Sequence, residues 1–315
     1  MWFKTIFRRQ TNTKEAPIFD EAFLRRMERL GLQAQRTLRG RPASGEHQSR
    51  QQIASPIFSE HRPYTTGDDL RYVDWNAYAR QEHVLVKLGE TEQDIDVHIM
   101  LDYSASMRWG KPSKLWVAQR LGGAIGYLAL AHSDRLRLSY FNGDTLQSFG
   151  PVQGKSRIAD MLNFINTTAG NAKQTQKQTS ATQIVKLVQR YARQHPRGGL
   201  LVLCSDLLLS DGLAEALQAL PPPRWQVVVV HLLDPEEIAP SLQGPIELED
   251  NETGQRLALT IDSLSLETYD KNLRTWQERI AQSCARRGAT YARLLTTWPL
   301  EKQIIPYLRL RRILT

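Results

Sequence analysis

The sequence predicts an α/β fold with a doubly wound, mostly parallel sheet, a small β-rich subdomain and basic terminal helices. From residue 94 onward, strand-like and helix-like patterns alternate along the chain, which is typical of a parallel sheet. Two predicted strands, 199–205 and 226–233, are apolar without interruption, as expected for strands covered on both faces. Segment 53–88 differs, because its short apolar pieces are separated by turn residues and charges.

The alternating region is predicted to begin with a strand at 96–101, followed by a helix at 113–131. Strand 135–141 alternates apolar and polar residues, and 144–149 is a short hairpin partner. Further along the chain the patterns predict helices at 156–165 and 183–193, the two apolar strands, a helix at 266–286, a strand at 290–294 and a basic helix at 300–313.

The flanking segments complete the domain organisation. A basic, surface-lying helix is predicted at 21–38 and a linker at 39–49, while a polar loop occupies 168–180. Two polar strands around the turn at 250–254 predict a hairpin that pairs with the small unit. The predicted boundaries are 1–44 for the basic N-terminal segment and linker, 45–93 for the small strand-rich unit, 94–235 for the α/β core, 236–264 for the hairpin, and 265–315 for the C-terminal helix, last strand and basic helix.

Composition excludes several classes of protein. With 41% hydrophobic and 23% charged residues over 315 positions, the chain is neither disordered nor fibrous. Its apolar runs stop well short of the ~20 residues that a membrane-spanning helix needs, and the N-terminus lacks the pattern of a secretory signal. We therefore expect a cytoplasmic protein. Two cysteines, Cys204 and Cys284, are too few for a disulfide framework or a metal knuckle.

The net charge of +8 is concentrated at the two ends. Residues 1–50 and 286–315 each carry +6, whereas the middle carries −4. Basic ends are typical of solvated helix faces. They also leave open a surface that binds an acidic partner, an anionic membrane or RNA.

The most specific chemical pattern is D-x-S-x-S, formed by Asp102, Ser104 and Ser106 directly after the first strand of the α/β core. It puts one carboxylate and two hydroxyls on one tight turn. Hard cations such as Mg²⁺ prefer oxygen ligands of this kind and keep several waters. Asp and Ser are also common turn formers and helix caps, so the pattern alone leaves that structural role open.

A second carboxylate, Asp206, follows the apolar strand 199–205. In the usual doubly wound order the first and fourth strands are neighbours, and ligands bind beyond their carboxyl ends. Asp102 and Asp206 are therefore expected to face one crevice. Thr182, at the start of the preceding helix, could add a third hydroxyl or could simply cap that helix.

These five residues resemble the metal-ion-dependent adhesion site of von Willebrand factor A domains, which have a Rossmann-like fold. The resemblance implies that Asp102, Ser104, Ser106, Thr182 and Asp206 hold a divalent cation, Mg²⁺, and that an acidic residue of a protein partner completes its coordination. In the family a glycine usually precedes the threonine, whereas Ala181 stands at that position here.

A long motif from His61 to Arg80, with Gly45–Ser49, Leu233–Glu236 and the turn at 250–254, is similar to the bacterial domain of unknown function 58 family. The resemblance covers residues 45–310. It implies a von Willebrand A-like domain that works with a MoxR-type AAA+ ATPase in the assembly or maturation of other proteins. Six charged residues of the motif either form a structural ion-pair network or bind the ATPase: Arg62, Asp68, Asp69, Arg71, Asp74 and Arg80.

Together these features predict a metal-ion-dependent protein-binding module that acts as an adaptor or cochaperone, and not an enzyme. One alternative is a metal-assisted phosphoryl or ester hydrolase, but the hydroxyl-rich site offers no evident general base. The other alternative is binding to membrane or RNA through the basic ends. Only Trp2, Phe3 and Phe7 accompany the N-terminal cations, which is too few for a base-stacking platform.

Overall fold

The computed structural model describes residues 18–21, 23–27, 58–66, 70, 73–81, 83–89, 94–143, 145–170, 181–208, 210–242, 244–249 and 256–310. The chain divides into two compact units. One comprises Ser44–Asp94, against the 45–93 expected for the small unit, and the other comprises the rest of the chain. Among the described residues, none of the helices combines the length and the apolar character needed to cross a membrane.

The small unit contains an antiparallel strand pair and a short helix. Strand β1 (Phe58–Pro63) pairs with β2 (Leu85–Gly89), and helix α1 spans Trp75–Gln81. Val73 forms a bridge to Val86, and both side chains are buried. This apolar pair gives the unit its own small core.

The larger unit is built on a six-stranded sheet. Its strands are β3 (Asp96–Asp102), β4 (Arg135–Asn142), β5 (Thr145–Val152), β6 (Gly199–Ser205), β7 (Trp225–Leu233) and β10 (Thr290–Leu295). Their spatial order is β10-β7-β6-β3-β4-β5. The edge strand β5 is antiparallel to β4, and the other neighbours are parallel. The predicted α/β fold with a mostly parallel sheet is thus confirmed.

Helices cover both faces of this sheet, and the apolar residues of β3 show why. Val97, Ile99 and Leu101 pack on one side, whereas Met100 packs on the other. The helices are α2 (Lys114–Ala131), α3 (Ile158–Gly170), α4 (Ala181–Gln194), α5 (Leu213–Gln218), α6 (Pro235–Ile238), α7 (Ser263–Arg286) and α8 (Ile305–Leu310), with a π-helical turn at Leu300–Ile304 before α8. The sequence did not predict α5 and α6, which are too short to show a helical period.

The predicted neighbourhood of the first and fourth core strands is present. Strand β3 pairs in parallel with β6 from Val97, opposite Leu200, to Leu101, opposite Cys204. The strand order reverses between these two strands, so their carboxyl ends border the crevice where doubly wound sheets bind ligands.

The N-terminal helical segment at 21–27 is not merely surface-lying. Asp20 caps it by accepting a hydrogen bond of 2.7 Å from the amide of Phe23. Phe23 and Met27 are buried with Ala124 of α2. The rest of the predicted helix, 28–38, lies outside the described residues.

The predicted hairpin consists of β8 (Gly244–Glu249) and β9 (Arg256–Ile261), which pair with each other. Among the described strands this pair forms a two-stranded sheet of its own, separate from the sheet of β1 and β2. The sequence predicted that this hairpin pairs with the small unit, but the described strands of these two sheets are not hydrogen-bonded to each other. The turn at 250–254 lies outside the described residues.

Candidate metal centre

Two carboxylates end the two strands at the reversal point of the sheet. Asp102 is the last residue of β3, and Asp206 directly follows β6. Both side chains are buried. The parallel pairing of β3 with β6 thus brings together two acids that lie 104 positions apart in the sequence.

Asp102 is held by hydrogen bonds at both of its oxygens. The amide of Ser104 donates to Oδ1 over 2.9 Å, and the Ser205 hydroxyl donates to Oδ2 over 2.5 Å. The Ser205 oxygen also accepts a hydrogen bond of 3.0 Å from the amide of Leu207. Sequence reasoning did not identify Ser205. Its position beside Asp206, at the end of a strand predicted to border the crevice, was the available signal.

The two serines of the D-x-S-x-S pattern lie on the turn that follows β3. Ser104 precedes a 3-10 turn, Ala105–Arg108, and Ser106 lies within it. Their hydroxyl oxygens are 3.0 Å apart. The side chain of Ser106 also hydrogen-bonds Asp206. The turn and the end of β6 therefore form one connected polar cluster of Asp102, Ser104, Ser106 and Asp206.

Thr182, the fifth predicted ligand, lies in the first turn of α4 and its side chain is exposed. The other four are buried or half-buried. The polar segment that precedes Thr182, 171–180, lies outside the described residues. The described contacts thus connect four of the five predicted ligands to one another, and they do not include Thr182.

A lysine that sequence reasoning missed is bound to the Asp206 end of the cluster. Lys114, the first residue of α2, is 0% exposed. Its Nζ donates to Asp206 Oδ2 over 2.8 Å and to Glu237 Oε1 over 2.6 Å. A lysine is rarely buried unless it is paired. The signal available in the sequence was a lysine that opens a mostly apolar helix, directly after the capping Ser113.

Glu237 belongs to the turn after β7, where Leu233-Asp234-Pro235-Glu236 forms part of the family motif. Asp234 caps α6 by accepting from the amide of Glu236 at 2.9 Å, and Glu237 Oε2 accepts from the amide of Asp234 at 2.8 Å. This reciprocal capping box fixes the turn. It also leaves Glu237 Oε1 directed at Lys114, so the residue directly after this motif supplies the second acid of a buried ion-pair triad.

The electrostatics of the acids follow from this arrangement. Burial and then the charge of Asp206 raise the pKa of Asp102 to about 6, although its hydrogen bonds to Ser205 and Ser104 act in the opposite direction. Burial would also raise the pKa of Asp206, but the adjacent Lys114 ammonium outweighs it and holds that pKa below its ordinary value. Burial opposes the charge of Lys114, and the two acids nevertheless keep its pKa raised.

The donor set fits a hard divalent cation. In an octahedral Mg²⁺ site with bonds of ~2.1 Å, neighbouring ligand oxygens are about 3.0 Å apart. The hydroxyls of Ser104 and Ser106, which are hydrogen-bonded to each other in this structure, have that separation and would need only to reorient their protons to coordinate an ion. Within the described ranges, no group of three or more His, Cys, Asp or Glu side chains could hold a metal. A cation here would therefore depend on the serine hydroxyls, with Asp102 and Asp206 supplying the negative charge.

The six charged residues of the long motif lie in the small unit. Asp74 is buried and caps α1, since its Oδ1 accepts from the amides of Asn76 at 3.0 Å and Ala77 at 3.1 Å. Arg80 is exposed in the last turn of α1, and Arg62 lies in β1. Asp68, Asp69 and Arg71 lie outside the described residues. Asp74 thus has a structural role within the motif.

Comparison with known proteins gives one family match. The family described as "Protein of unknown function DUF58" matches residues 60–279. Relatives with 26% identity over 255 residues, 80% of this chain and 78% of theirs, are "Uncharacterized protein Rv1480" of Mycobacterium tuberculosis (strain ATCC 25618 / H37Rv) and "Uncharacterized protein Mb1516" of Mycobacterium bovis. Their names state no activity.

Two solved structures are similar to parts of the chain. A "conserved hypothetical protein BatB from Bacteroides thetaiotaomicron" has a TM-score of 0.44 and 20% identity, over 69% of this chain and 98% of that one. A D319A mutant of the PilB minor pilin from Streptococcus sanguinis has a TM-score of 0.33 and 10% identity, over 73% and 64%. Likeness at this level carries no assignment of function.

Proposed function

Since this chain belongs to the DUF58 family, which is described only as being of unknown function, we propose that it is a metal-ion-dependent protein-binding module of the von Willebrand A type. The observation that carries the proposal is the buried cluster at the ends of β3 and β6. It combines two carboxylates with two hydroxyls at the spacing of an Mg²⁺ coordination edge.

The charge of the site favours an acidic partner. Asp102, Asp206 and Glu237 contribute three negative charges, and Lys114, within 2.8 Å of Asp206 and 2.6 Å of Glu237, returns one positive charge. A divalent cation here would be bound directly by neutral hydroxyls and would keep coordination positions for a further, charged ligand. Such an ion attracts an anionic ligand strongly in a buried setting. A Glu or Asp side chain of a protein partner would supply both the charge and the remaining oxygen.

The same contacts favour binding over hydrolysis. A general base must reach the proton that it removes and is most effective with a pKa near the working pH. Asp102 has a raised pKa, but it is buried and both of its oxygens accept hydrogen bonds from the protein, and Asp206 is paired with Lys114. The buried strand histidines, His98 and His231, are each hydrogen-bonded to a tyrosine hydroxyl at 2.7 Å. We therefore propose a binding module and not a hydrolase.

For the biological setting, we propose an adaptor or cochaperone that works in the cytoplasm with a MoxR-type AAA+ ATPase in the assembly or maturation of other proteins. This part of the proposal comes from the family resemblance of the long motif. The docking surface proposed for the ATPase includes the exposed Arg80 on α1. Binding to an anionic membrane or RNA through the basic ends would instead depend steeply on salt.

The test is capture of partners by the full-length protein from native lysate in Mg²⁺, in EDTA, and with the variant Asp102→Ala. We expect the ATPase or an acidic client to be retained only by the wild type with Mg²⁺. Asp262→Ala is the matched control, because it removes an exposed acid that caps α7, away from the cluster. Capture that persists in EDTA and in Asp102→Ala would contradict the proposal.

A further inference from the structure

The triad of Lys114, Asp206 and Glu237 has a consequence for cation binding. Lys114 Nζ donates a hydrogen bond of 2.8 Å to Asp206 Oδ2, and the side chain of Ser106 hydrogen-bonds the same carboxylate. A metal ion and the lysine ammonium therefore draw on one carboxylate. The lysine cannot leave for solvent, because it is 0% exposed at the start of a packed helix.

We propose that Lys114 is a built-in cation that lowers the affinity of the metal site by competing with the metal for Asp206. This inference rests on the proposed function, and it makes Lys114 a positioning residue and not a ligand. Two like charges near one carboxylate weaken each other's binding, most strongly where water is excluded. An Mg²⁺ site of this kind would bind the free cation weakly and would hold it well only when a partner carboxylate is added.

Glu237 sets the strength of this competition. The Lys114 ammonium lies 2.6 Å from Glu237 and 2.8 Å from Asp206. The negative charge of Glu237 therefore offsets part of the positive charge that Lys114 places beside the metal site. The position of Glu237 is fixed by its bond to the amide of Asp234. Asp234 in turn packs on Gly110, where an added Cβ would lie 2.4 Å from Asp234 Oδ2. The turn after β7 is therefore expected to influence the affinity of the site for a metal ion, because it positions Glu237.

The probe for the test is Mn²⁺, followed by electron paramagnetic resonance and by calorimetry on the full chain. The variant Lys114→Met with Glu237→Gln removes one positive and one negative charge together and frees Asp206. We expect it to bind Mn²⁺ about tenfold or more tightly than the wild type. Glu237→Gln alone keeps an oxygen that can accept from the amide of Asp234, but it leaves Asp206 as the only acid paired with the Lys114 ammonium. Because the full positive charge of the lysine then acts on Asp206, we expect this variant to bind Mn²⁺ several-fold more weakly.

A charge-matched control separates this effect from a general loss of negative charge. Glu236→Gln removes an exposed acid of the same turn whose side chain is not part of the Lys114 ion pairs. We expect it to weaken Mn²⁺ binding less than Glu237→Gln does. If the double variant does not fold, the comparison of the two single variants carries the test.

The outcomes distinguish this inference from the proposed function. Mn²⁺ binding by the wild type with no gain in the double variant, or equal losses in the two single variants, would overturn the role of Lys114 and leave the metal site in place. Binding by the double variant alone would support the role of Lys114 and refute a metal site in the wild type. No binding by any folded variant would overturn both.

Discussion

Lys114 Nζ lies 2.6 Å from Glu237 Oε1, although 123 positions separate the two residues in the chain. The contact joins the first turn of α2 to the turn after β7. Together with Asp206 at the end of β6, it forms a buried cluster of one positive and two negative charges. Buried charges of this kind are tolerated only when they are paired.

Removal of the lysine alone should therefore be costly. Lys114→Met leaves Asp206 and Glu237 buried without their cation, and we expect a loss of about 3 to 5 kcal/mol in the free energy of unfolding. Urea denaturation in EDTA measures it. The double variant with Glu237→Gln should recover part of the loss, because only Asp206 is then left buried without its cation. An equally unstable double variant would contradict this account.

Ser205→Ala should affect both the fold and the metal site. It removes the donor to Asp102 Oδ2, and leaving a buried acceptor without a partner costs about 1 to 3 kcal/mol. Because Asp102 then loses its fixed orientation, Mn²⁺ binding should weaken as well. Ser139→Ala is the matched control: Ser139 is a buried strand hydroxyl bonded to Ser148 at 2.8 Å, in the sheet but outside the cluster. It should lower stability without changing Mn²⁺ affinity.

His98 should make stability depend on pH. Burial, reinforced by the charge of His195, lowers the pKa of His98 from 6.5 to about 3. Between these values the unfolded chain binds a proton that the folded chain does not, so stability is lost as the pH falls from 6.5 towards 3. In EDTA, the free energy of unfolding should fall between pH 6 and 4 more steeply in the wild type than in His98→Gln, by about 1.4 kcal/mol per pH unit.

His231 gives an independent check on the same principle. Burial lowers its pKa to about 3, despite the opposing charge of Asp206. His231→Gln should therefore change the slope in the same direction, and the two variants combined should change it about twice as much. Parallel pH profiles for the wild type and both variants would show that these histidines do not set the acid sensitivity.

The effect of Gly123→Ala on stability should depend on the residue at position 19. An added Cβ at Gly123 would lie 2.5 Å from Phe19 Cε1, which forces the ring of Phe19 away from α2. With Phe19 present we expect destabilisation. In a Phe19→Ala background the clash is gone, and alanine should stabilise α2 by up to about 1 kcal/mol through its helix propensity. Thermal unfolding of the four chains tests this, and the same sign in both backgrounds would contradict it.

The sequence alone determined the fold class and the location of the acids. Uninterrupted apolar runs at 199–205 and 226–233 predict strands covered on both faces, because a strand with one solvent-exposed face alternates apolar and polar residues. The order of strands and helices then limits the topology to a few choices, and Asp102 and Asp206 follow from their places at strand ends. Local sequence patterns suffice for these predictions, because strand and helix periods depend only on residues that are close in the sequence.

Only the tertiary structure decided which side chains surround those acids. Lys114 and Ser205 carry no distinctive local pattern, and the contact between Lys114 and Glu237 depends on how α2 meets the turn after β7. The exposed position of Thr182 likewise depends on the start of α4. Long-range packing sets these distances, and the charge of the site follows from them, because a buried ammonium acts on a carboxylate only within a few ångströms of low-dielectric surroundings.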